Sequence, residues 1–269
     1  MPETPLTYAR YLRVPELLSL QECLSAPPHH DETLFIVIHQ VYELWFKLLL
    51  HEIDSAIACL AADRPEEATR LLRRVVAVQR LLVHQVDVLE TMRPQDFLGF
   101  RYHLNPASGF QSVQFREIEF VLGIKDAAIL KHLVAGPDEV QRLERRLAAP
   151  SLGDAFDALL RRRGLGGGTA PGTQGAAAQP EGWRLAALTR IYESPETHPW
   201  LLALCEVLVD IDECLALWRA HHVQMVERMI GAKRGTGGSD GVSYLRSTLP
   251  KRAFPDLWRV RTELGDEPA

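Results

Sequence analysis

Three long segments of the chain carry apolar residues at the three- and four-residue spacing of an α-helix. They span about residues 31–60, 65–92 and 194–230, and no period-two strand pattern accompanies them. The stripes are Leu34, Ile38, Val41, Trp45, Leu49 and Ile53; Leu71, Val75, Val78, Leu82, Val86 and Leu89; and Trp200, Leu204, Val207, Ile211, Cys214, Trp218, His222, Met225 and Met229. The sequence therefore predicts an all-α fold built on long core helices.

Shorter helices are expected between these long segments. We predict them at 112–122, 126–135, 138–148 and 151–163, with a partly helical tail to about residue 264. The signals for where helices begin and end are Asp31, Asp63, Pro65 and Pro199 near N-termini, the Ser151–Asp154 capping pair, and Gly123 and Gly231 after C-termini.

The stretch 164–182 differs from its surroundings because it holds seven of the chain's 18 glycines together with an alanine run. Its composition cannot bury enough apolar surface to order the chain. Because helices of similar character flank it, we interpret it as a flexible insertion within one domain that spans 1–269.

Composition narrows the class of protein. A net charge of −5 argues against a general nucleic-acid binder. The four cysteines form no CxxC pair, which disfavours a cysteine-based zinc site and fits a reducing cytoplasm. We identify no signal peptide at the N-terminus, and no apolar run approaches the roughly 20 residues of a membrane helix. A soluble, cytoplasmic protein is the expectation.

Two histidines lie on apolar helix faces. His39 belongs to an aromatic stripe with Phe35, Tyr42 and Phe46, and His222 belongs to the stripe of the 194–230 helix. A lone histidine in this position is most often a core residue, but it can also ligate haem iron. Spacing alone leaves both interpretations open. No HExxH motif supports a zinc hydrolase.

Three other groups of residues also allow either a purely structural or a functional interpretation. Arg101 follows two phenylalanines, so it either packs half-exposed on their rings or binds a carboxylate. The Gly-rich segment 235–241 is either a flexible loop or a lid whose threonine hydroxyl bonds an ammonium group. The acidic trio Asp210, Asp212 and Glu213 does not share one helix face, so a solvated surface is expected rather than a metal site.

Four segments together resemble the tryptophan 2,3-dioxygenases, a family of haem enzymes that open the indole ring. They are Leu34–Gln40 leading into Glu43–Lys47, Phe100–Arg101, Pro106–Arg116 and Lys233–Ser239, and the resemblance extends from Thr7 to about Thr262. It implies an all-helical homotetramer with one haem b in each subunit, active as Fe²⁺. The implied reaction inserts both atoms of O2 into L-tryptophan and gives N-formyl-L-kynurenine.

The resemblance also implies roles for individual residues. His222, fourteen residues before Thr236, matches the proximal iron ligand, and neighbouring His221 falls off the apolar stripe. His39 matches the distal histidine that bonds the indole N–H, Arg101 the arginine that binds the substrate carboxylate, and Thr236 the contact of the ammonium group. Further matches are the pocket walls Phe35, Phe97 and Leu104, Ser108 near a haem propionate, and Tyr8, Tyr11 and Leu12, which reach a neighbouring subunit's site.

Other functions remain open at this point. Relatives of the family that insert one oxygen, or that act on substituted tryptophans or tyrosine, would share the anchors Arg101 and Thr236. A haem binder without catalysis and a plain helical interaction protein are further alternatives. The sequence departs from the family at Asp240, where a second serine is common, and in the 164–182 stretch.

Overall fold

The computed structural model describes residues 5–166, 182–236 and 241–265, and these residues form helices and turns without a β-strand. The prediction of an all-α fold is confirmed. The α-helices of the described residues are α1 (Tyr8–Leu12), α2 (Val14–Leu17), α3 (His30–Ala61), α4 (Pro65–Leu89), α5 (Pro94–Phe100), α6 (Val113–Leu122), α7 (Pro137–Ala148), α8 (Leu152–Arg162), α9 (Trp183–Glu193), α10 (Pro199–Ile230), α11 (Val242–Ser247) and α12 (Pro255–Glu263). Most of the Gly-rich stretch, 167–181, and Asp240 lie outside the described residues.

The core is organised around α4, which packs against both α3 and α10. The main apolar cluster joins these three helices to α8, α9 and α12, and Ile53, Leu72 and Leu204 at its centre are fully buried. A second cluster, around Phe100 and Met225, lies between α3, α4, α5 and the C-terminal half of α10. Most residues of the predicted stripes therefore face the core, as the period of 3.6 residues requires, whereas Trp200 is 49% exposed.

The helix ends agree with the sequence signals only in part. Ser151 and Asp154 form the expected capping box, and Gly123 ends α6 in the left-handed conformation with φ 112°. The expectation that Asp31 caps α3 is wrong, because the helix begins one residue earlier and the His29 ring accepts the backbone N–H of Asp31. The third long helix begins at Pro199 rather than near 194, because a proline disfavours helical geometry in the residue that precedes it.

Several short elements differ from the prediction. The helix expected over 126–135 is a shorter 3₁₀ helix at Ala127–Lys131, and the chain is extended again at Gly136 before Pro137. The 93–111 segment, for which the sequence predicts no helix, contains α5 and 3₁₀ helices at Arg101–Leu104 and Gly109–Gln111. Sequence periodicity also missed α9, a helix of 11 residues that contributes Leu188 to the main core.

By length and composition, α3 is the one helix of the described ranges that could cross a membrane. This differs from the expectation that no apolar run reaches that length. Core helices of globular proteins share this length and composition, and α3 packs against α4, α6 and α8.

Asp212 contradicts the expectation of a solvated acidic face. Its side chain is buried in α10 and accepts the backbone N–H of Ala253 at 2.9 Å and of Phe254 at 3.3 Å. The indole Nε1 of Trp258 donates to the same carboxylate at 3.0 Å. A buried carboxylate is retained here because three donors replace its water, and it ties the C-terminal α12 to α10.

We expect Asp212→Ala to lower the free energy of unfolding by about 3 kcal/mol, because it leaves buried N–H donors without an acceptor. The matched control is Asp210→Ala on the neighbouring half-buried position, which should change stability by less than about 0.5 kcal/mol. Urea denaturation followed by circular dichroism measures both. Equal effects of the two substitutions would contradict the structural role of Asp212.

Candidate functional site

A cavity of about 300 Å³ lies between α3, the C-terminal half of α10 and the 101–119 segment. This volume is at the lower end of small-molecule sites. Its wall includes seven of the residues singled out from the sequence: Phe35, His39, Phe97, Arg101, Ser108, His222 and Thr236. The tertiary structure therefore brings together residues that are far apart in the sequence.

His39 presents a hydrogen-bond acceptor to this cavity. Its Nδ1 lies 2.7 Å from the carbonyl oxygen of Phe35, one helical turn earlier. A carbonyl can only accept, so Nδ1 carries the proton and the neutral ring keeps Nε2 as an acceptor. Burial by the surrounding protein lowers the pKa of His39, although the ring keeps surface accessible from the cavity. His39 is therefore uncharged at neutral pH.

His222 lies on the α10 face of the cavity and is also uncharged. Burial lowers its pKa to about 4, and nearby His39 contributes further. No hydrogen bond holds its ring among the described residues. Trp218, one turn earlier on the same helix, stacks on the imidazole with 5.1 Å between ring centroids and an interplanar angle of 6°. A neutral imidazole without a hydrogen-bond partner has a lone pair available for a metal ion.

Trp218 is a site residue that the sequence placed only in a core stripe. Its indole Nε1 donates to the hydroxyl of Tyr42 at 3.4 Å, and that hydroxyl donates to the carbonyl of Leu82 at 2.7 Å. Burial raises the pKa of Tyr42 to about 12, so the phenol keeps its proton. The position four residues before His222 was the available signal, because residues four apart share a helix face.

Aromatic rings form the wall beside His39. The centroid of the Phe35 ring lies 4.1 Å from that of the His39 ring and 5.8 Å from that of the Phe97 ring, on which it stacks. Phe97 and Phe100 pack edge to face with 5.6 Å between ring centroids. Leu104 packs against the same apolar cluster but does not belong to the cavity wall. Phe35 and Phe97 thus present apolar ring surface to the cavity, and Phe100 packs behind them outside its wall.

Arg101 and Thr236 lie together at the cavity wall. A guanidinium N–H of Arg101 donates to the carbonyl of Arg234, and the hydroxyl of Thr236 donates to the carbonyl of Ala107 at 2.7 Å. Among the described residues Arg101 has no carboxylate partner, unlike the other two arginines of the wall. These two contacts join the segment after α10 to the segment after α5, so both polar groups lie where the two segments meet.

Gly241 is required by the backbone at the same edge of the cavity. Its φ of 59° and ψ of −123° suit glycine alone, and a Cβ there would lie 2.7 Å from the carbonyl oxygen of Lys233. A side chain would displace the 233–236 segment that contacts Arg101. Whether this segment moves as a lid remains a prediction, and 237–240 lie outside the described residues.

A buried ionic cluster forms another part of the wall. Glu119 accepts from Arg116 at 2.6 Å and from Arg219 at 2.7 Å, and each of the three side chains is less than one-tenth exposed. The Arg116 guanidinium lies 4.7 Å from the centroid of the Phe110 ring, and its Nε has no hydrogen-bond partner in the described part of the chain. Sequence reasoning missed this cluster, although Arg116 ends one of the motifs.

Of the remaining residues that the sequence singled out, Ser108 lies in the cavity wall, whereas the N-terminal Tyr8, Tyr11 and Leu12 do not. Ser108 lines the cavity, and its hydroxyl accepts the backbone N–H of Phe110 at 3.2 Å. Tyr8, Tyr11 and Leu12 are not part of the cavity wall of their own chain, and their exposed fractions are 78%, 72% and 44%. The short helix α1 that carries them contains no buried residue.

Comparison with known proteins identifies the family. The family model described as tryptophan 2,3-dioxygenase matches residues 2–156 and 181–264, and the unmatched part between them covers most of the Gly-rich stretch. This chain is 52% identical to a protein of Nocardioides sp. named tryptophan 2,3-dioxygenase, over 96% of this chain and 95% of that protein. It is 49% identical to a protein of the same name from Herpetosiphon aurantiacus, over 96% of this chain and 98% of that protein. One in Caulobacter vibrioides is 46% identical over 96% and 98%. The chain therefore belongs to the tryptophan 2,3-dioxygenase family.

Proposed function

We propose that this protein catalyses the haem-dependent insertion of both atoms of O2 across the indole C2–C3 bond of L-tryptophan, giving N-formyl-L-kynurenine. One observation carries the proposal. Two uncharged histidines from different helices, His39 and His222, line one cavity together with an arginine that has no carboxylate partner among the described residues. Family membership supplies the reaction and the substrates.

The residues present fit a haem. His222 offers a neutral imidazole without a hydrogen-bond partner in the described chain, which is the chemistry of an axial iron ligand. The adjoining walls are apolar and aromatic, as a porphyrin face requires. The orphaned Nε of buried Arg116 and the hydroxyl of Ser108 supply donors suited to propionate carboxylates. In this proposal His222 is the ligand and Ser108 lies near a propionate.

When bound as Fe²⁺, the haem supplies the oxygen chemistry, and this chain positions the other reactant. The Phe35 and Phe97 rings orient the indole plane. His39 accepts the indole N–H at Nε2, because Nδ1 already donates to Phe35. Attack by the electron-rich indole carbon does not require prior loss of that proton, so His39 acts in orientation and polarity rather than as a general base. Holding the reactants in one orientation supplies much of the rate.

The amino-acid head group requires two anchors. Arg101 pairs with the carboxylate in a bidentate manner, for which its contact with the Arg234 carbonyl leaves donors free. Thr236 accepts from the ammonium group through its hydroxyl oxygen, which is compatible with its donation to the Ala107 carbonyl. Two fixed anchors together with the indole pocket distinguish the L-enantiomer. Leu104 does not line the cavity itself but packs in the same apolar cluster as Phe35 and Phe97 and so supports the pocket wall.

A homotetramer in the cytoplasm completes the proposal. The N-terminal segment exposes apolar side chains that a single chain leaves uncovered, with Leu6 at 73% and Leu18 at 70% in addition to Tyr8 and Tyr11. Such a surface favours contact with a second copy, so that Tyr8, Tyr11 and Leu12 reach a neighbouring site. The four cysteines are free, which fits a reducing compartment. No nucleic-acid or membrane partner is proposed.

The assignment is tested by the mass of the product. Haem-loaded protein is reduced without oxygen, then given O2 and L-tryptophan. We expect a product heavier by two oxygen atoms. A product heavier by one oxygen would assign the chain to monooxygenase chemistry, and haem without product would leave a binder or sensor.

We expect His222→Ala to lose stoichiometric haem, because its imidazole is the iron ligand. Haem per chain, from the pyridine haemochrome spectrum, measures this. The matched control is the adjacent His221→Ala, which should retain haem, since that ring lies beside the carboxylates of Asp87 and Glu90. Full haem content in the His222 variant would contradict the ligand assignment.

Arg101→Ala should weaken the affinity for L-tryptophan by about 10- to 100-fold, because a charge-assisted pair is worth about 1.5–3 kcal/mol. Tryptamine, which lacks the carboxylate, serves as the control ligand. Its affinity should hardly change, as measured by perturbation of the haem absorption band. An equal loss for both ligands would show that Arg101 acts on the pocket and not on the carboxylate.

We expect His39→Ala to retain turnover reduced by about fivefold, since one neutral hydrogen bond is worth about 1 kcal/mol. Complete loss of turnover with haem and tryptophan still bound would contradict a role of His39 in orientation alone and would indicate a general base.

The lowered pKa of His39 also predicts a pH dependence with a definite sign. Protonation removes the Nε2 acceptor, so affinity for L-tryptophan should fall as the pH drops through a value below 6.5, the ordinary pKa of histidine. Affinity for 1-methyl-tryptophan, which has no indole N–H, should lack the part of this dependence that His39 causes.

A further inference from the structure

A second cluster of metal-ligating side chains lies outside the cavity, where the C-terminal end of α4 meets α10. It consists of Asp87 and Glu90 on the α4 side and His221 on α10. One ligand atom from each side chain lies within 4.8 Å of the other two. His84, one turn before Asp87, brings its Nδ1 to 3.9 Å from the second oxygen of the Asp87 carboxylate.

Two of the three ligand-to-ligand distances in this cluster match the edge of a metal tetrahedron. His221 Nε2 lies 3.5 Å from Asp87 Oδ1 and 3.5 Å from Glu90 Oε1. Zinc bonds to nitrogen and oxygen ligands are about 2.1 Å long, so two ligands of a tetrahedral site lie about 3.4 Å apart. Neither contact is a hydrogen bond in the described structure, and both are longer than the usual 2.7–3.2 Å range of such bonds.

The charge balance of the cluster is a separate argument for a cation. Asp87 and Glu90 lie at the end of α4, where the helix dipole disfavours negative charge, and the last turn contains no basic residue. Arg228 pairs with the other oxygen of Glu90 at 2.9 Å. Within the described chain, the Asp87 carboxylate has ion-pair contacts with His84 and His221 alone. This carboxylate therefore lacks a permanent positive partner.

We propose that Asp87, Glu90 and His221 form a binding site for a Zn²⁺-class divalent transition metal ion, with His84 as the fourth ligand after a change of rotamer. Imidazole with carboxylate favours zinc and its neighbours over calcium or magnesium, which prefer oxygen ligands only. His84 is 79% exposed and Asp87 63%, so the ion has direct access from solvent. Such an ion joins the end of α4 to the part of α10 that also carries His222.

The test is equilibrium dialysis of the tag-free protein, as isolated, against buffered free Zn²⁺, with zinc and iron per chain counted by elemental mass spectrometry. We expect one zinc per chain. Asp87→Asn, which conserves size at an exposed position, should weaken zinc affinity at least about tenfold without changing the iron content. His221→Ala should do the same.

The matched control is His30→Ala. The exposed His30 and the partly buried Asp31 form another histidine–carboxylate pair, 2.7 Å apart, which is not part of a three-ligand cluster in the described residues. Its removal should leave zinc affinity unchanged. X-ray absorption at the zinc edge should show nitrogen and oxygen ligands only. The absence of stoichiometric zinc, equal losses in the His30 and His221 variants, or sulfur ligation would each overturn the proposal.

Discussion

The packing of α3 and α10 against α4 is the constraint on which the cavity depends. His39 and His222 come from helices that do not follow each other in the chain, and α4 holds both helices in position. Each residue turns a helix by about 100°, so the rotation of α10 decides which histidine faces the cavity. His222 lines the cavity while adjacent His221 faces Asp87 and Glu90. A small rotation of this helix would remove the proposed iron ligand.

The cavity combines apolar walls with charges that protein interiors rarely contain. Glu119 is buried between Arg116 and Arg219, and the arginine charge exceeds the carboxylate charge by one. Burying such charges is costly unless partners compensate them. The excess positive charge and the orphaned Arg116 Nε make this wall suitable for an anionic group. The aromatic wall near His39 and the ionic wall thus divide the site into parts for different portions of its ligands.

Much of the fold could be predicted from local patterns. The periodicity of the three long segments predicted α3, α4 and α10 within a few residues, because a helix that buries one face must repeat its apolar residues. Local patterns did not predict the structure of short segments that lack a repeating apolar face. The segment 93–111 forms α5 and two 3₁₀ helices, and its Phe97, Phe100 and Leu104 pack in the second apolar cluster with residues of α3, α4 and α10. Asp212 was misjudged because its three donors are supplied by residues 253–258.

By itself, the sequence determined the all-α class, the long helices, the family and the residue types that a haem and an amino acid would need. It could not separate a core histidine from a metal ligand, because both occupy the same position in a helical stripe. Tertiary structure places His39 and His222 in one cavity and lowers both pKa values by burial, and the proposed roles of the two histidines rest on that arrangement. The pairing of Arg116, Glu119 and Arg219, and the meeting of Arg101 with the segment after α10, also arise only when distant segments pack. Burial and long-range contact are properties of the folded chain, and no local pattern contains them.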